Sequence, residues 1–244
     1  MRRFYIQNYI SGQNFQELSE EEAYHAAKVL RLDSGGTVEG FDGNGKLIKG
    51  ILQLEQLNSK KFRAKIVDFE ILENNNPARK NITLIISSIK LDRLEWLLEK
   101  CTEIGVGKII ITHTKYSQIP LDLILKKLER LKTIVMNACK QSENLYLPEI
   151  SISDMKDILK VKFSKDGLSL VATTEIPGES LRSIISKNSC ENLCIWIGPE
   201  GGFEKTELDE IVKFGFVPCK LGENILRAET AAVVGVWEMV NGLE

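Results

Sequence analysis

The chain has 244 residues, a formal net charge of −2, and 43% hydrophobic and 27% charged residues, an ordinary make-up for a soluble globular protein of one large or two smaller domains. This balance excludes a binder held to nucleic acid by bulk charge, so any such contact must come from local basic patches. No apolar run approaches the roughly 18 residues of a membrane span, MRRFYIQNYI lacks the apolar centre of a signal peptide, and five scattered cysteines suit reduced thiols rather than a disulfide framework. The chain is therefore expected in the cytoplasm.

Taken in order, Phe4–Ile6 reads as a first strand. Ser19 with Glu22 three residues later makes a capping box for a short helix through Leu30. His25, Lys28 and Arg31 are expected near one face of it. Strands over 37–41 and 46–54 flank Asp42-Gly43-Asn44-Gly45, a strong hairpin signal. A third strand, 61–72, alternates Phe62, Ala64 and Ile66 inward with Lys61, Arg63 and Lys65 outward. The outward cations form one basic face, either contacting an RNA backbone or serving as the solvated edge of a sheet.

Glu73-Asn74-Asn75-Asn76-Pro77 has linker composition, which divides the chain into a β-rich domain over 1–72, a linker over 73–80 and a second domain over 81–244. There the pattern changes. Apolar strands are expected at 82–89, 108–112, 168–172, 193–197 and 217–221. Helices are expected at 91–104 (stopped by Gly105), 121–141, 180–187, 204–214 and 228–240. Alternating strands and helices imply an α/β fold with a mainly parallel sheet, whose ligands bind at the carboxyl ends of strands. The turns at Gly198-Pro199-Glu200-Gly201-Gly202 and at Gly222 both lie at such ends and suggest two walls of one cleft.

The glycine turn is neither G-x-G-x-x-G nor a P-loop. Glu200 puts negative charge where a phosphate would sit, so a neutral or cationic small molecule fits better. No serine occupies a nucleophile elbow, and the two histidines, His25 and His113, lack metal-ligand spacing. Cys190 and Cys194, the one close cysteine pair, have no second pair or neighbouring histidine and read as plainly buried. No metal is expected.

WIGPEGGF (196–203) together with LGENILRAETAA (221–232) resembles the signature of the RsmE family. These are SPOUT-class methyltransferases that make N3-methyluridine in small-subunit ribosomal RNA. RLEWLLEKCTEIGV (93–106) and NACKQSENLYLPEI (137–150) resemble further family segments, and RRFYI and HAAKVLRLDSGG resemble its PUA-like RNA-binding domain. The resemblance spans nearly the whole chain.

The resemblance implies a C-terminal SPOUT α/β domain with a deep trefoil knot after a small PUA-like domain, and a homodimer acting on 16S ribosomal RNA, free or in the small ribosomal subunit. It implies S-adenosylmethionine (SAM) held by Thr173, Thr174, Glu175, Ile197, Gly198, Glu200, Gly201, Gly202, Leu221, Gly222, Ile225, Leu226 and Arg227. Leu221, Ile225 and Leu226 would supply the apolar slot for adenine. Arg227 is the expected catalytic cation, and Glu200 and Glu229 are candidates for orientation or base work, although Glu229 equally suits a helix N-terminus. RNA is expected at Arg2, Arg3, His25, Lys28, Arg31, Lys61 and Arg63. Two departures stand out: Tyr116 and Asn144 occupy positions near which the family pattern carries arginines. Lys115, Lys126, Lys127, Arg130, Lys132 and Lys140 either compensate or form a solvated face. Two other readings remain open, a non-catalytic RNA-binding protein on a methyltransferase scaffold and a SPOUT enzyme with another RNA target.

Overall fold

A computed structural model describes residues 2–73, 81–160, 167–188 and 190–243. Most of the proposed linker, residues 74–80, lies outside them. The chain forms two compact units: Met1–Asn76 with Cys139–Leu147, and Pro77–Ala138 with Pro148–Glu244.

The first unit contains β1 (Arg3–Tyr5), β2 (Phe15–Glu17), α1 (Glu20–Tyr24), a π-helical stretch over His25–Val29, β3 (Thr37–Phe41), β4 (Lys46–Gln56) and β5 (Phe62–Glu73). The sheet order is β1-β3-β4-β5-β2. Asp42 shapes the β3–β4 hairpin, its Oδ1 accepting from the amides of Asn44 and Lys46 at 2.7 and 3.1 Å. Alternation along β5 buries Phe62, Ala64 and Ile66 against Phe4, Ile6 and Ile48.

Three expectations are corrected here. Ser19 Oγ does accept from the Glu22 amide, but the Glu22 carboxylate accepts from Lys140 instead of closing the box. Arg31 lies beyond the helix in the left-handed region, φ 51°, so it shares no helical face with His25 and Lys28. And β5 is no edge strand: the unforeseen β2 pairs with it over Lys65–Val67.

The second unit contains β6 (Ile82–Ser87), α2 (Leu91–Ile104), β7 (Lys108–Thr112), α3 (Leu121–Leu125), α4 (Leu128–Ser142), β8 (Glu149–Ile152) and α5 (Met155–Ile158). It continues with β9 (Gly167–Ala172), β10 (Glu179–Ser180), α6 (Leu181–Ser186), β11 (Asn192–Ile197), α7 (Lys205–Lys213), β12 (Val217–Lys220) and α8 (Ala228–Gly242). One helix expected over 121–141 is thus two. Nine residues expected in this unit, Cys139–Leu147, pack with the first one, where Cys139 and Leu145 bury Phe41.

The seven strands run in the order β10-β12-β9-β11-β6-β7-β8, every pair parallel. The apolar runs of the central strands β6, β7 and β11 follow from burial on both faces. Ile85, Val171, Cys194 and Trp196 face a core completed by Phe203, Leu208, Ile211 and Phe216. Trp196 anchors it, its indole N–H donating to Ser87 Oγ at 3.3 Å and its ring meeting Phe203 and Phe216 edge-on. On the opposite face, Ile195 lies against Gly235 of α8.

Candidate functional site

β12, β9 and β11 are neighbours in the parallel sheet, so the loops leaving their carboxyl ends must meet. They enclose a cleft of about 750 Å³ lined by 172–175, 197–203, 219–228 and Ala231. All thirteen residues expected to hold a cofactor, Thr173, Thr174, Glu175, Ile197, Gly198, Glu200, Gly201, Gly202, Leu221, Gly222, Ile225, Leu226 and Arg227, lie in this lining. Sequence spacing suggested two walls; the loop after β9 makes a third.

Local bonds hold each wall. The Thr173 amide donates to the Cys219 carbonyl at 3.2 Å, and Thr173 Oγ1 accepts from the Glu175 amide at 3.2 Å. The Gly202 amide closes the glycine turn on the Pro199 carbonyl at 2.9 Å. Gly202 has φ +73°, a conformation that side chains resist, and a Cβ there would come 2.9 Å from Glu175 Oε1. Glycine at 202 thus lets the loop after β9 close on the turn after β11.

The lining mixes apolar and charged groups. Leu221 and Leu226 are half-buried, whereas Ile225 is 83% exposed at the rim. Glu175, Glu200 and Glu223 contribute carboxylates, and Lys220 and Arg227 cations. Cys219 also lines the cleft, but burial pushes its thiol up to about 12, which removes it as a nucleophile.

The three expected catalytic residues separate. Arg227 is exposed at the mouth of the cleft, caps α8 without a side-chain hydrogen bond, and has no ion pair among the described residues. Glu200 lines the cleft and accepts from Arg93 Nη1 at 2.9 Å. Glu229 is not part of the lining; it lies 3.7 Å from Arg93 Nε, in the first turn of α8. Arg93 went unnoticed as a site residue because its partners lie 107 and 136 positions along the chain.

A second buttress supports the turn. Exposed Tyr116 lies against Gly201, Lys115 pairs with Glu204, and the Lys115 amide donates to Glu207 Oε1 at 2.7 Å. Lys115 is therefore committed to the start of α7 rather than free for a ligand. Asn144 is buried, its Oδ1 accepting from the Tyr146 amide. Lys140, Arg130 and Lys132 likewise pair with Glu22, Glu95 and Glu129. His113 is exposed near the Ile119 carbonyl, 3.2 Å from Nδ1. Among the described residues, no group of His, Cys, Asp and Glu could hold a metal ion and no helix is long and apolar enough to cross a membrane.

The seven residues expected to contact RNA lie in the first unit in differing states. Arg3 is buried in a pair with Glu39 at 2.7 Å, which takes its guanidinium out of reach of a surface ligand. Arg2 donates to the Leu30 carbonyl at 3.1 Å, Lys28 lies 5.1 Å over the Phe62 ring, and Lys61 is 3.7 Å from Glu20. Arg63 is exposed opposite Glu55. With Lys65 3.6 Å from Glu17, the expected basic face is a mosaic of both signs.

A family model described as an RNA methyltransferase domain matches residues 76–237. The ribosomal RNA small subunit methyltransferase E of Rickettsia conorii is 30% identical over 240 residues, covering 96% of this chain and 93% of its own. The protein of the same name from Bacillus subtilis is 28% identical, covering 95% and 93%. Among solved structures, a ribosomal RNA small subunit methyltransferase E from Neisseria gonorrhoeae bound to S-adenosyl methionine superposes with a TM-score of 0.82 at 28% identity, covering 98% of this chain and 96% of the other.

Proposed function

Because the chain belongs to the RNA methyltransferase domain family, and within it to the ribosomal RNA small subunit methyltransferase E (RsmE) family, we propose that it methylates N3 of a uridine in 16S ribosomal RNA using S-adenosylmethionine. The observation that carries this reading is the cleft at the carboxyl ends of β9, β11 and β12, bounded by three carboxylates and apolar side chains. Its volume of about 750 Å³ is ample for a nucleoside-sized ligand. Glu175, Glu200 and Glu223 suit a cation, and Leu221, Leu226 and Ile225 suit an adenine.

When bound, S-adenosylmethionine supplies an electrophilic methyl group on a sulfonium. The chain's own task is to prepare the nucleophile. Uracil N3 carries an imide proton that must pass to solvent water as the nitrogen takes up the methyl group, so negative charge develops on the base. Arg227, exposed in the cleft lining and without an ion pair among the described residues, is the group we assign to stabilise that charge. Glu200 is held by Arg93 at the cleft wall and serves orientation. Glu229, outside the lining, acts through the same arginine rather than on the base.

We assign a trefoil knot to the stretch after β9. Its support is the strand order: the chain goes from β9 to the edge strand β10, crosses to β11, then returns to insert β12 between β10 and β9. The first unit, with its mixed sheet and exposed Arg63, Lys61 and Lys28, we read as the PUA-like RNA-binding domain. A homodimer is supported by the exposed Trp96 and Trp237, the latter sharing one face of α8 with Val233 and Val240 by helical spacing. Such an enzyme works in the cytoplasm, where ribosomal subunits are made.

Calorimetric titration of the chain with S-adenosylmethionine, followed by mapping of methylated positions in ribosomal RNA from a strain lacking the gene, tests the reading. Binding at one site per chain and loss of one N3-methyluridine are expected. Absence of binding would leave the RNA-binding scaffold as the better reading, and an unchanged N3-methyluridine content would redirect the enzyme to another target.

A further inference from the structure

We infer that Arg93 is a positioning residue for the cleft, fixing two of its three loops from a single point on α2. The inference rests on the cleft being the S-adenosylmethionine site. Arg93 Nη1 donates to Glu200 Oε1 at 2.9 Å, and Nε lies 3.7 Å from Glu229 Oε1. Glu200 sits in the turn after β11. Glu229 follows Arg227 by two residues, at the point where the loop after β12 becomes α8. One guanidinium thus ties down the middle of one loop and the end of another.

The base of this tie is firm. Arg93 stands on a 14-residue helix that buries Leu94, Leu97 and Leu98 completely and ends at Gly105 with φ 109°. The side chains of Arg93, Glu200 and Glu229 are 29%, 20% and 12% exposed, so water and salt screen the triad less than an open surface pair. Neither carboxylate has another cationic partner among the described residues. Glu229 Oε2 is buried with no hydrogen bond, so Arg93 is the cation that offsets the buried charge of this carboxylate.

Geometry also dictates the residue type. A planar guanidinium presents several N–H groups in a fixed fork and can serve two carboxylates at once, whereas an ammonium is a point charge on a flexible stem. Removing Arg93 frees Glu200 to swing into the cleft it lines and sets it beside the uncompensated Glu229. Both loops would then be ordered only as ligand binds, which lowers affinity.

The test compares the full-length wild-type chain with Arg93→Met, Arg93→Lys and Glu95→Gln. The last variant breaks the pair that Glu95, also on α2, makes with Arg130 of α4 at 2.6 Å, without touching the cleft. In the absence of ligand, amide hydrogen exchange over 198–202 and 221–227 is expected to quicken in Arg93→Met and to match wild type in Glu95→Gln. Calorimetry is expected to show S-adenosylmethionine binding on the order of tenfold weaker in Arg93→Met, intermediate in Arg93→Lys and unchanged in Glu95→Gln. The KM for RNA should stay constant. Unchanged exchange in both loops would overturn the inference, as would equal losses of affinity in Arg93→Met and Glu95→Gln. If the wild-type chain fails to bind S-adenosylmethionine, the reading of the cleft falls, while the exchange data still decide whether Arg93 orders the loops.

Discussion

The backbone of Gly201 passes so close to Tyr116 that a Cβ on the glycine would lie 2.9 Å from the tyrosine Cβ. Added atoms at 201 would therefore meet Tyr116, in the loop after β7, and the turn would have to shift. Gly201→Ala is expected to cost about 1–3 kcal/mol through overpacking and to weaken S-adenosylmethionine binding. Adding Tyr116→Gly should restore much of that affinity. Calorimetry on the single and double variants checks this; wild-type binding by Gly201→Ala would show that the turn yields freely.

Arg227→Ala isolates the reacting centre. The side chain makes no cap hydrogen bond and no ion pair among the described residues, so the melting temperature should not move. Turnover is expected to fall about 10²–10³-fold with S-adenosylmethionine affinity within a few-fold of wild type. A variant that still turns over normally would remove Arg227 from the mechanism.

Lys140 donates to Glu22 at 2.7 Å, and the Glu22 side chain is only 4% exposed. Lys140→Met strands that carboxylate and is expected to destabilise the chain by about 3–5 kcal/mol. The double variant Glu22→Gln with Lys140→Met should lose much less, because both charges go together. Urea unfolding of the set checks this, and a single-variant loss no larger than the double's would show that the charges act independently.

The Lys115–Glu204 pair predicts a pH dependence. The Lys115 ammonium holds the Glu204 carboxyl below its ordinary range, and Glu204 in turn raises Lys115. A carboxyl depressed in the folded state contributes stability above its unfolded pKa and loses it as pH falls through the folded value. Lys115→Met should therefore be less stable than wild type near neutrality, with the gap closing below the usual carboxylate range. Unfolding curves from neutral pH down to about pH 3 would show the convergence; a gap that persists in acid would point to lost packing instead.

Cysteine reactivity should follow burial. Cys139 and Cys219 are pushed up to about 12 by desolvation, and the fully enclosed Cys101 and Cys194 are raised further still. Cys190 is half-buried and less shifted. Iodoacetamide at neutral pH is expected to modify Cys190 alone in the folded chain and all five thiols after denaturation, as read by mass spectrometry. Rapid native labelling of Cys219 would mean that the cleft opens far wider than its packing allows.

How much of this was legible beforehand follows the range of the interactions. The longer strands and helices between residues 82 and 242 announced themselves through apolar runs and helical spacing, because each is decided by burial of its own side chains. The glycine turns signalled a cleft for the same local reason. What escaped was either short or distant. β2, β8, α5 and β10 span two to four residues and carry no period. The break at Lys126 between α3 and α4 interrupts a helical pattern that continues across it. Arg93 carries no signal of its own in the sequence, since nothing nearby hints at Glu200 or Glu229. Arg3 looked like a free cation until Glu39 was brought beside it.

The nine residues 139–147 have a consequence for how the molecule comes into being. Phe41 is covered by Cys139 and Leu145, and Tyr146 bridges to Asn44 at the β3–β4 hairpin. During translation the amino-terminal sheet therefore waits, its core unfinished, while more than sixty further residues are synthesised. A gene cut after Asn76 would yield a fragment with an apolar patch around Phe41, prone to clump. A nascent chain stalled before residue 147 would be equally exposed to chaperones and proteases.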